Sequence, residues 1–175
     1  MELRTAERSD IPALGSLIDL SGRALSVGHY SPEQADAITR HVFGVDTQLI
    51  DDGTFFVIEH DDRIVACGGW SRRRTLFGGD QAKAGPDPLL DPAIEPARIR
   101  AFFVHPSMAR RGLGRQLMAA CTAASKHAGF RALELVATVP GEPLYLASGF
   151  TVLERFELQL PGDVAVPVSR MRMNI

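Results

Sequence analysis

The sequence predicts an α+β (mixed α/β) fold, in which a central mixed, mostly antiparallel sheet of about seven strands is flanked by about four helices. Two strand pairs joined by short turns support the antiparallel part: one turns at Asp61 and Asp62, the other at residues 161–163. Four further segments carry apolar residues at helical spacing or helix-capping signals. The sequence therefore predicts a fold that contains both strands and helices.

Two helices are predicted near the N-terminus, after a short edge-like segment that begins at Leu3. Ser9 or Asp10 is the expected cap of the first helix. Its apolar residues recur at helical spacing and are Ile11, Leu14, Leu17, Ile18 and Leu25. The second helix begins at Ser31, which forms a capping-box pattern with Gln34 and is followed by a proline at the first helical position.

The middle of the chain is predicted to contain a hairpin and a long loop. Residues 54–59 and 63–70 are β-branched, aromatic and apolar, as in paired strands. Residues 77–96 include three glycines and four prolines, which prevent both a strand ladder and a long helix. Loops of this length in compact domains commonly carry function, although a plain surface excursion is the alternative.

The second half begins with a strand at residues 98–104, followed by a helix at residues 112–127. The helix carries one apolar stripe, formed by Leu113, Leu117, Cys121 and Ala124. Gly129 ends it in the position usual for a glycine after the last turn. A strand at residues 132–138, a short helix at 142–148 and two strands at 150–158 and 164–173 complete the prediction.

Composition limits the classes to which the protein can belong. The 175 residues predict a single domain, residues 1–175, with a core large enough to fold without disulfides or a structural metal. Cys67 and Cys121 lie in apolar stretches and are expected to be free thiols in a reducing compartment. No signal for export or membrane insertion is recognisable, so we expect a cytoplasmic protein.

The net charge of −2 attracts neither nucleic acid nor an anionic membrane, so we expect neither as a partner. Arginines occur in two local clusters, Arg72 to Arg74 and the group of Arg110, Arg111 and Arg115. Solvated surface is the ordinary explanation for such clusters, and it suits the first better than the second. The oligomeric state is left open, a homodimer included.

The segment HPSMARRGLGRQL, between a strand and a helix, is the most informative part of the sequence. Gly112 and Gly114 stand where the helix begins, so backbone amides without an intrahelical partner can point outward. Together with the neighbouring arginines and the helix dipole, these amides can hold a pyrophosphate. The P-loop pattern is absent, and Leu117 replaces the third glycine of the dinucleotide fingerprint.

The order of four motifs resembles the GNAT superfamily of N-acetyltransferases. Val104-His105-Pro106 resembles the family's V-x-P strand end, and Arg111-Gly112-Leu113-Gly114-Arg115 its glycine loop. About forty residues downstream, LELVAT and LYLASGF resemble the family's L-x-x-A-T strand and Y-x-x-x-G-F element. The resemblance implies an enzyme that uses acetyl-CoA, or a close acyl-CoA, and acetylates an amine.

The resemblance also implies the roles of particular residues. Backbone around Phe103 and Val104 is expected to pair with the pantetheine arm of the cosubstrate. The pyrophosphate is expected at the loop residues Arg110, Arg111, Gly112, Leu113, Gly114 and Arg115. Tyr145 is expected near the thioester sulfur, where a phenol can protonate the departing thiolate; a core aromatic is the alternative.

Two departures from the family pattern matter. Ala109 replaces the Gln or Arg that begins the loop motif, which removes a side chain but keeps the amides. The strand before the loop carries no carboxylate where family members often have a Glu general base. Glu95, Glu134 and His105 are candidates, and for each we favour a structural role.

The acceptor is expected to bind between the first two helices and the loop at residues 77–96. Arg72 to Arg74 hint at an acceptor with negative charge, but a solvated strand end is the preferred interpretation. The leading hypothesis is direct acetyl transfer to a primary amine in a ternary complex. The alternative is a non-catalytic acyl-CoA-binding sensor or interaction domain, which the missing carboxylate would suit. Nucleic-acid binding is disfavoured because aromatic residues do not interleave the arginines.

Overall fold

The computed structural model describes residues 1–175 and is built on one seven-stranded sheet with the order β1-β2-β3-β4-β5-β7-β6. The strands are β1 (Glu2–Thr5), β2 (Phe55–His60), β3 (Arg63–Ser71), β4 (Ala97–Val104), β5 (Ala132–Thr138), β6 (Thr151–Leu160) and β7 (Val164–Asn174). All neighbouring pairs are antiparallel except β4 and β5, which are parallel. The predicted mixed, mostly antiparallel sheet is confirmed.

Five α-helices accompany the sheet: α1 (Ile11–Ser26), α2 (Pro32–His41), α3 (Thr47–Asp51), α4 (Leu113–His127) and α5 (Glu142–Ala147). The sequence predicted four of them and missed α3, which is too short to show a helical period. The capping box of α2 is present, with Ser31 Oγ accepting a hydrogen bond from the Gln34 amide at 3.1 Å. Asp10 occupies the predicted N-cap position of α1, but its side chain caps no helical amide and instead accepts hydrogen bonds from Arg4 and the Glu7 amide.

The helices cover the two faces of the sheet. Helix α4 packs on β3 and β4 through its predicted apolar stripe, with Leu117 and Cys121 fully buried. Helices α1 and α2 pack on the opposite face, α1 against β3 and β4 and α2 against β6 and β7. The hydrophobic core therefore lies in two layers, one on each side of the sheet.

Strands β4 and β5 separate almost as soon as they meet. They pair only at Ala97 with Leu133 and at Arg98 with Glu134, although both strands continue for several residues. Beyond this point the register of β4 with β3 shifts, and Ala101 adopts a φ of +55°. A positive φ is unfavourable for a residue with a Cβ, so the surrounding packing must hold this bulge in place. A cleft opens between the two strands as a result.

A buried ion pair ties the long loop to the sheet. Arg100 of β4 is 3% exposed, and its Nη2 lies 2.9 Å from Oδ2 of Asp46, which is 1% exposed. The same guanidinium donates to the carbonyl oxygens of Thr75 and Gly78. Lys83 Nζ lies 2.6 Å from the other carboxylate oxygen. Residues 77–96 form the predicted loop, with one short 3-10 turn at Asp80–Ala82.

We predict that Asp46→Asn lowers the free energy of unfolding by about 3–5 kcal/mol, because it leaves the Arg100 guanidinium buried without a counter-charge. Asparagine keeps the volume and the capping role of Asp46 at α3, so the change removes only the negative charge that Arg100 and Lys83 share. Asp36→Asn is the matched control, since Asp36 pairs with Arg23 and Arg40 on the exposed surface. It should cost no more than about 1 kcal/mol. Urea unfolding measures the free energy of unfolding of each variant. Equal losses in the two variants would show that the buried ion pair contributes no more to stability than the exposed one.

Candidate functional site

The end of β4 forms one wall of the cleft. His105 donates its amide hydrogen to Val65 of β3 at 2.8 Å. Because successive amides of a strand point to opposite sides, the Val104 amide points away from β3. It donates instead to Ser21 Oγ of α1 at 3.2 Å. Phe103 and Val104, singled out from the sequence, therefore lie on the strand segment that β5 leaves unpaired.

The chain turns from β4 into α4 through two residues of left-handed backbone, Arg110 with a φ of +64° and Gly112 with a φ of +84°. No side chain caps α4. Its first intrahelical hydrogen bond runs from the Gln116 amide to the Gly112 carbonyl, so the amides of Leu113 to Arg115 lack helical partners. These amide hydrogens are therefore available to a hydrogen-bond acceptor at the N-terminus of α4.

The same turn carries concentrated positive charge. Arg110, Arg111 and Arg115 are exposed, and none of them forms an ion pair within the protein. A Cβ added at Gly112 would meet no atom within 4 Å, so the space in front of this turn is open. Free guanidinium groups beside unpartnered amides at a helix N-terminus have the chemistry to bind an anion such as phosphate.

Gly114 has a different role from Gly112. A Cβ at Gly114 would come within 2.9 Å of the Leu144 side chain, so this glycine permits close packing of α4 against α5. The sequence pattern treated both glycines as part of the phosphate turn. The structure assigns the left-handed turn to Gly112 and the close helix contact to Gly114, whose amide nevertheless stays among the unpartnered donors.

Tyr145 lies on α5 with its ring in the core and 9% of its surface exposed. The ring makes edge contacts with Phe102 and Phe150, at centroid distances of 6.2 and 5.9 Å. Its hydroxyl makes no hydrogen bond within the protein, and the residue lines a cavity at the cleft. Burial, with a smaller contribution from Cys121, raises the pKa of the phenol well above its ordinary value. Tyr145 thus combines the core packing considered from the sequence with a free, protonated hydroxyl.

The cavity has a volume of about 110 Å³ and lies between α2, the start of the long loop and strands β4 to β7. Its walls are largely apolar and include Phe43, Leu76, Phe77, Phe102, Phe103 and Val136. Arg100 and Tyr145 are the titratable residues among its lining. Helix α2 and the long loop contribute as expected, whereas α1 does not line this cavity.

The three candidate bases have structural partners and do not line the cavity. Glu95 accepts a hydrogen bond from the Asp91 amide and lies 3.5 Å from Arg74. Glu134 is buried beside Arg98, also at 3.5 Å. His105 caps the 3-10 turn that follows β4, where its Nδ1 accepts from the Ser107 amide. These contacts agree with the structural roles favoured from the sequence.

The first arginine cluster is likewise engaged outside the cavity. Arg72 stacks over Trp70 at 5.4 Å from the ring centroid, and Arg73 forms a bidentate pair with Asp52. Arg74 faces Glu95. Arg72 and Arg74 are exposed, as in the preferred interpretation of a solvated strand end, whereas Arg73 is partly buried by its pair with Asp52.

Both cysteines are free and fully buried. Burial raises the pKa of the Cys67 thiol to about 12 and that of Cys121 higher still. Neither thiol can therefore supply a thiolate nucleophile at neutral pH.

Three features of the site were not found from the sequence. The bulge at Ala101 has no sequence signal, because alanine rarely adopts a positive φ. Ser21 lies in an ordinary helical pattern, and its contact with Val104 crosses 83 positions of the chain. Arg100 did have a signal, since a charged residue within an otherwise apolar strand must find a partner when it is buried.

Comparison with known proteins agrees with this geometry. Similar solved structures include a GCN5-related N-acetyltransferase from Rhodopseudomonas palustris, with a TM-score of 0.71, 16% identity and coverage of 99% of this chain and 95% of that one. PaiA N-acetyltransferase from Thermoplasma acidophilum, solved in complex with coenzyme A, has a TM-score of 0.66, 13% identity and coverage of 99% and 98%. YncA from Salmonella typhimurium, solved with its cofactor acetyl-CoA, has a TM-score of 0.65, 16% identity and coverage of 99% and 93%.

At these identities the structural likeness establishes the fold. Comparison with curated protein sequences gives no significant match. None of the helices has the length and apolar character needed to cross a membrane. The family model described as "Acetyltransferase (GNAT) domain" matches residues 51–152, which include β4, the glycine turn, α4, β5 and Tyr145. The chain therefore belongs to the GNAT acetyltransferase family.

Proposed function

We propose that this protein binds acetyl-CoA in the cleft between β4 and β5 and transfers the acetyl group to a primary amine by direct attack in a ternary complex. The observation that carries the proposal is the course of the cleft. Beyond Arg98, β4 is unpaired with β5; Phe102 and Phe103 of this segment line the cavity with Tyr145, and the chain then enters the turn that carries unpartnered amides and free arginines.

The glycine turn suits the pyrophosphate of the cosubstrate. The amides of residues 110–115 would hold it, with Arg110, Arg111 and Arg115 supplying positive charge. The open space at Gly112 leaves room for this contact. Backbone at Phe103 and Val104 would pair with the pantetheine arm, whose carbonyl would take the place of Ser21 Oγ as the acceptor of the Val104 amide.

Tyr145 is suited to act as the general acid. Because burial raises the pKa of its phenol, the hydroxyl remains protonated throughout the neutral range and can donate a proton from Oη. When bound, acetyl-CoA supplies an acetyl thioester, which the amine attacks without a covalent enzyme intermediate. The burial of Cys67 and Cys121 supports this direct route.

The function is tested by mixing the protein with acetyl-CoA and a broad panel of primary amines and measuring free thiol. We expect thiol release that depends on both the protein and an amine. Tight CoA binding, measured by calorimetry, without thiol release from any amine would instead favour the non-catalytic sensor. Absence of CoA binding would contradict both.

We predict that Gly112→Val weakens CoA binding at least severalfold. The substitution places a Cβ in the open space of the turn and forces valine into a φ of +84°, which moves the amides that hold the anion.

Gly162→Val is the matched control for this prediction. Gly162 also has a φ of +84° and open surroundings, but it lies in the β6–β7 turn. Both variants should lose similar stability, and Gly162→Val alone should keep the parent's CoA affinity by calorimetry. Equal CoA affinities in the two variants would show that the glycine turn does not bind the phosphate.

We predict that Tyr145→Phe lowers kcat by about a hundredfold or more and leaves CoA affinity nearly unchanged, because the ring stays packed and only the proton donor is lost. Steady-state kinetics and calorimetry separate the two effects.

Tyr30→Phe is the comparison for Tyr145→Phe. The Tyr30 hydroxyl donates to the Pro167 carbonyl and accepts from the Val139 amide, so its loss should lower stability while kcat stays within a factor of about three. If Tyr145→Phe also keeps kcat within that factor, Tyr145 is not the acid.

A further inference from the structure

The cavity beside Tyr145 offers no negative charge to an acceptor. None of its lining residues is an aspartate or glutamate. The lining residue that carries a charge is Arg100, and that charge is already balanced by Asp46. The positive charge of Lys83 is balanced by two carboxylates, Asp46 at 2.6 Å and Asp87 at 3.9 Å from Nζ. An incoming group therefore meets an apolar surface and an ion network that is neutral as a whole.

This environment is unfavourable for a protonated amine. An ammonium group that enters the cavity loses its hydration and finds no carboxylate to replace it. The cavity also contains no carboxylate that could remove the extra proton before attack. An amine that is already neutral avoids both costs, because its nitrogen lone pair is available without a base.

The cavity is partly open, and its size suits a compact body on the amine. Its volume of about 110 Å³ approaches that of the roughly 150 Å³ apolar cavity that holds benzene in an engineered protein. The side chains of Phe43, Phe77, Phe102 and Phe103 line the space, so an apolar ring would be in contact with aromatic walls.

We propose that the acceptor is a weakly basic amine on a compact apolar body, of the aromatic amine class, which enters the cavity uncharged. The proposal rests on the acetyltransferase function proposed above. The amine nitrogen forms a bond to the acetyl carbon, and the carbon–sulfur bond breaks with its electron pair on sulfur. Sulfur takes the proton of Tyr145 Oη, and the surplus amine proton returns to Tyr145 through water. No proton is released overall.

Aniline and cyclohexylamine test this proposal, because they are similar in size but aniline is neutral at neutral pH and cyclohexylamine is protonated. Binding of each amine to the protein, alone and saturated with CoA, is measured by calorimetry, and turnover with acetyl-CoA by free thiol. We expect aniline to bind at least about tenfold more tightly, the factor that corresponds to one pKa unit of differential interaction. Tighter binding of cyclohexylammonium, for example through cation–π contacts with the phenylalanine rings, would overturn the proposal.

Thr138→Asp provides the second test. Thr138 lines the cavity, and its Oγ1 accepts a hydrogen bond from the Gly141 amide that an aspartate oxygen can also accept. The new carboxylate should shift the preference toward cyclohexylammonium by about tenfold or more. Thr138→Asn is the neutral control of equal shape, and Leu153→Asp on the exposed face of β6 is the control for added charge. Neither control should shift the preference, and a shift in Leu153→Asp equal to that in Thr138→Asp would also overturn the proposal.

The two proposals can fail separately. If aniline binds preferentially but no amine releases thiol, the acetyltransferase function fails and the cavity preference stands. If thiol is released with cyclohexylamine preferred at neutral pH, the function stands and the neutral-amine proposal fails.

Discussion

The early divergence of β4 from β5 is the constraint on which the rest of the site depends. Parallel neighbours need a crossover connection, and here α4 provides it, so the turn into α4 necessarily lies at the open end of the cleft. The bulge at Ala101 turns β4 without breaking its pairing with β3. The segment of β4 that β5 leaves unpaired therefore leads from the cavity beside Tyr145 to the turn into α4.

Arginine has opposite roles in the two halves of this site, and burial makes the difference. At the start of α4 the three guanidinium groups are exposed and without carboxylate partners, so their positive charge is available to an anion. Arg100 has the same side chain but is buried, and it is held by Asp46 and two carbonyl oxygens. Its charge stabilises the loop against the sheet and leaves the cavity without a net charge for an acceptor.

The surroundings of Tyr145 follow from the same architecture. The contact of α5 with α4, made possible by Gly114, positions Tyr145 in the core between Phe102 and Phe150. Removal from water raises the pKa of its phenol, which suits the proposed role of a proton donor better than that of a base. With no carboxylate in the cavity, the proposed chemistry needs a proton donor for the thiolate and an amine that arrives neutral.

The sequence alone was sufficient for the order of the strands and of four of the five α-helices, the capping box at Ser31 and the buried stripe through Cys121. It also contained the motifs of residues 104–115 and 133–150, from which the family was inferred. These features are local, because periodicity, caps and turn glycines are written in neighbouring residues. Only the tertiary structure decided the bulge at Ala101, the contact of Ser21 with Val104 and the pairing of Arg100 with Asp46. The two contacts join elements that are distant in the chain, and the bulge is a backbone conformation that packing imposes. Features of these two kinds leave no periodic pattern in a single sequence.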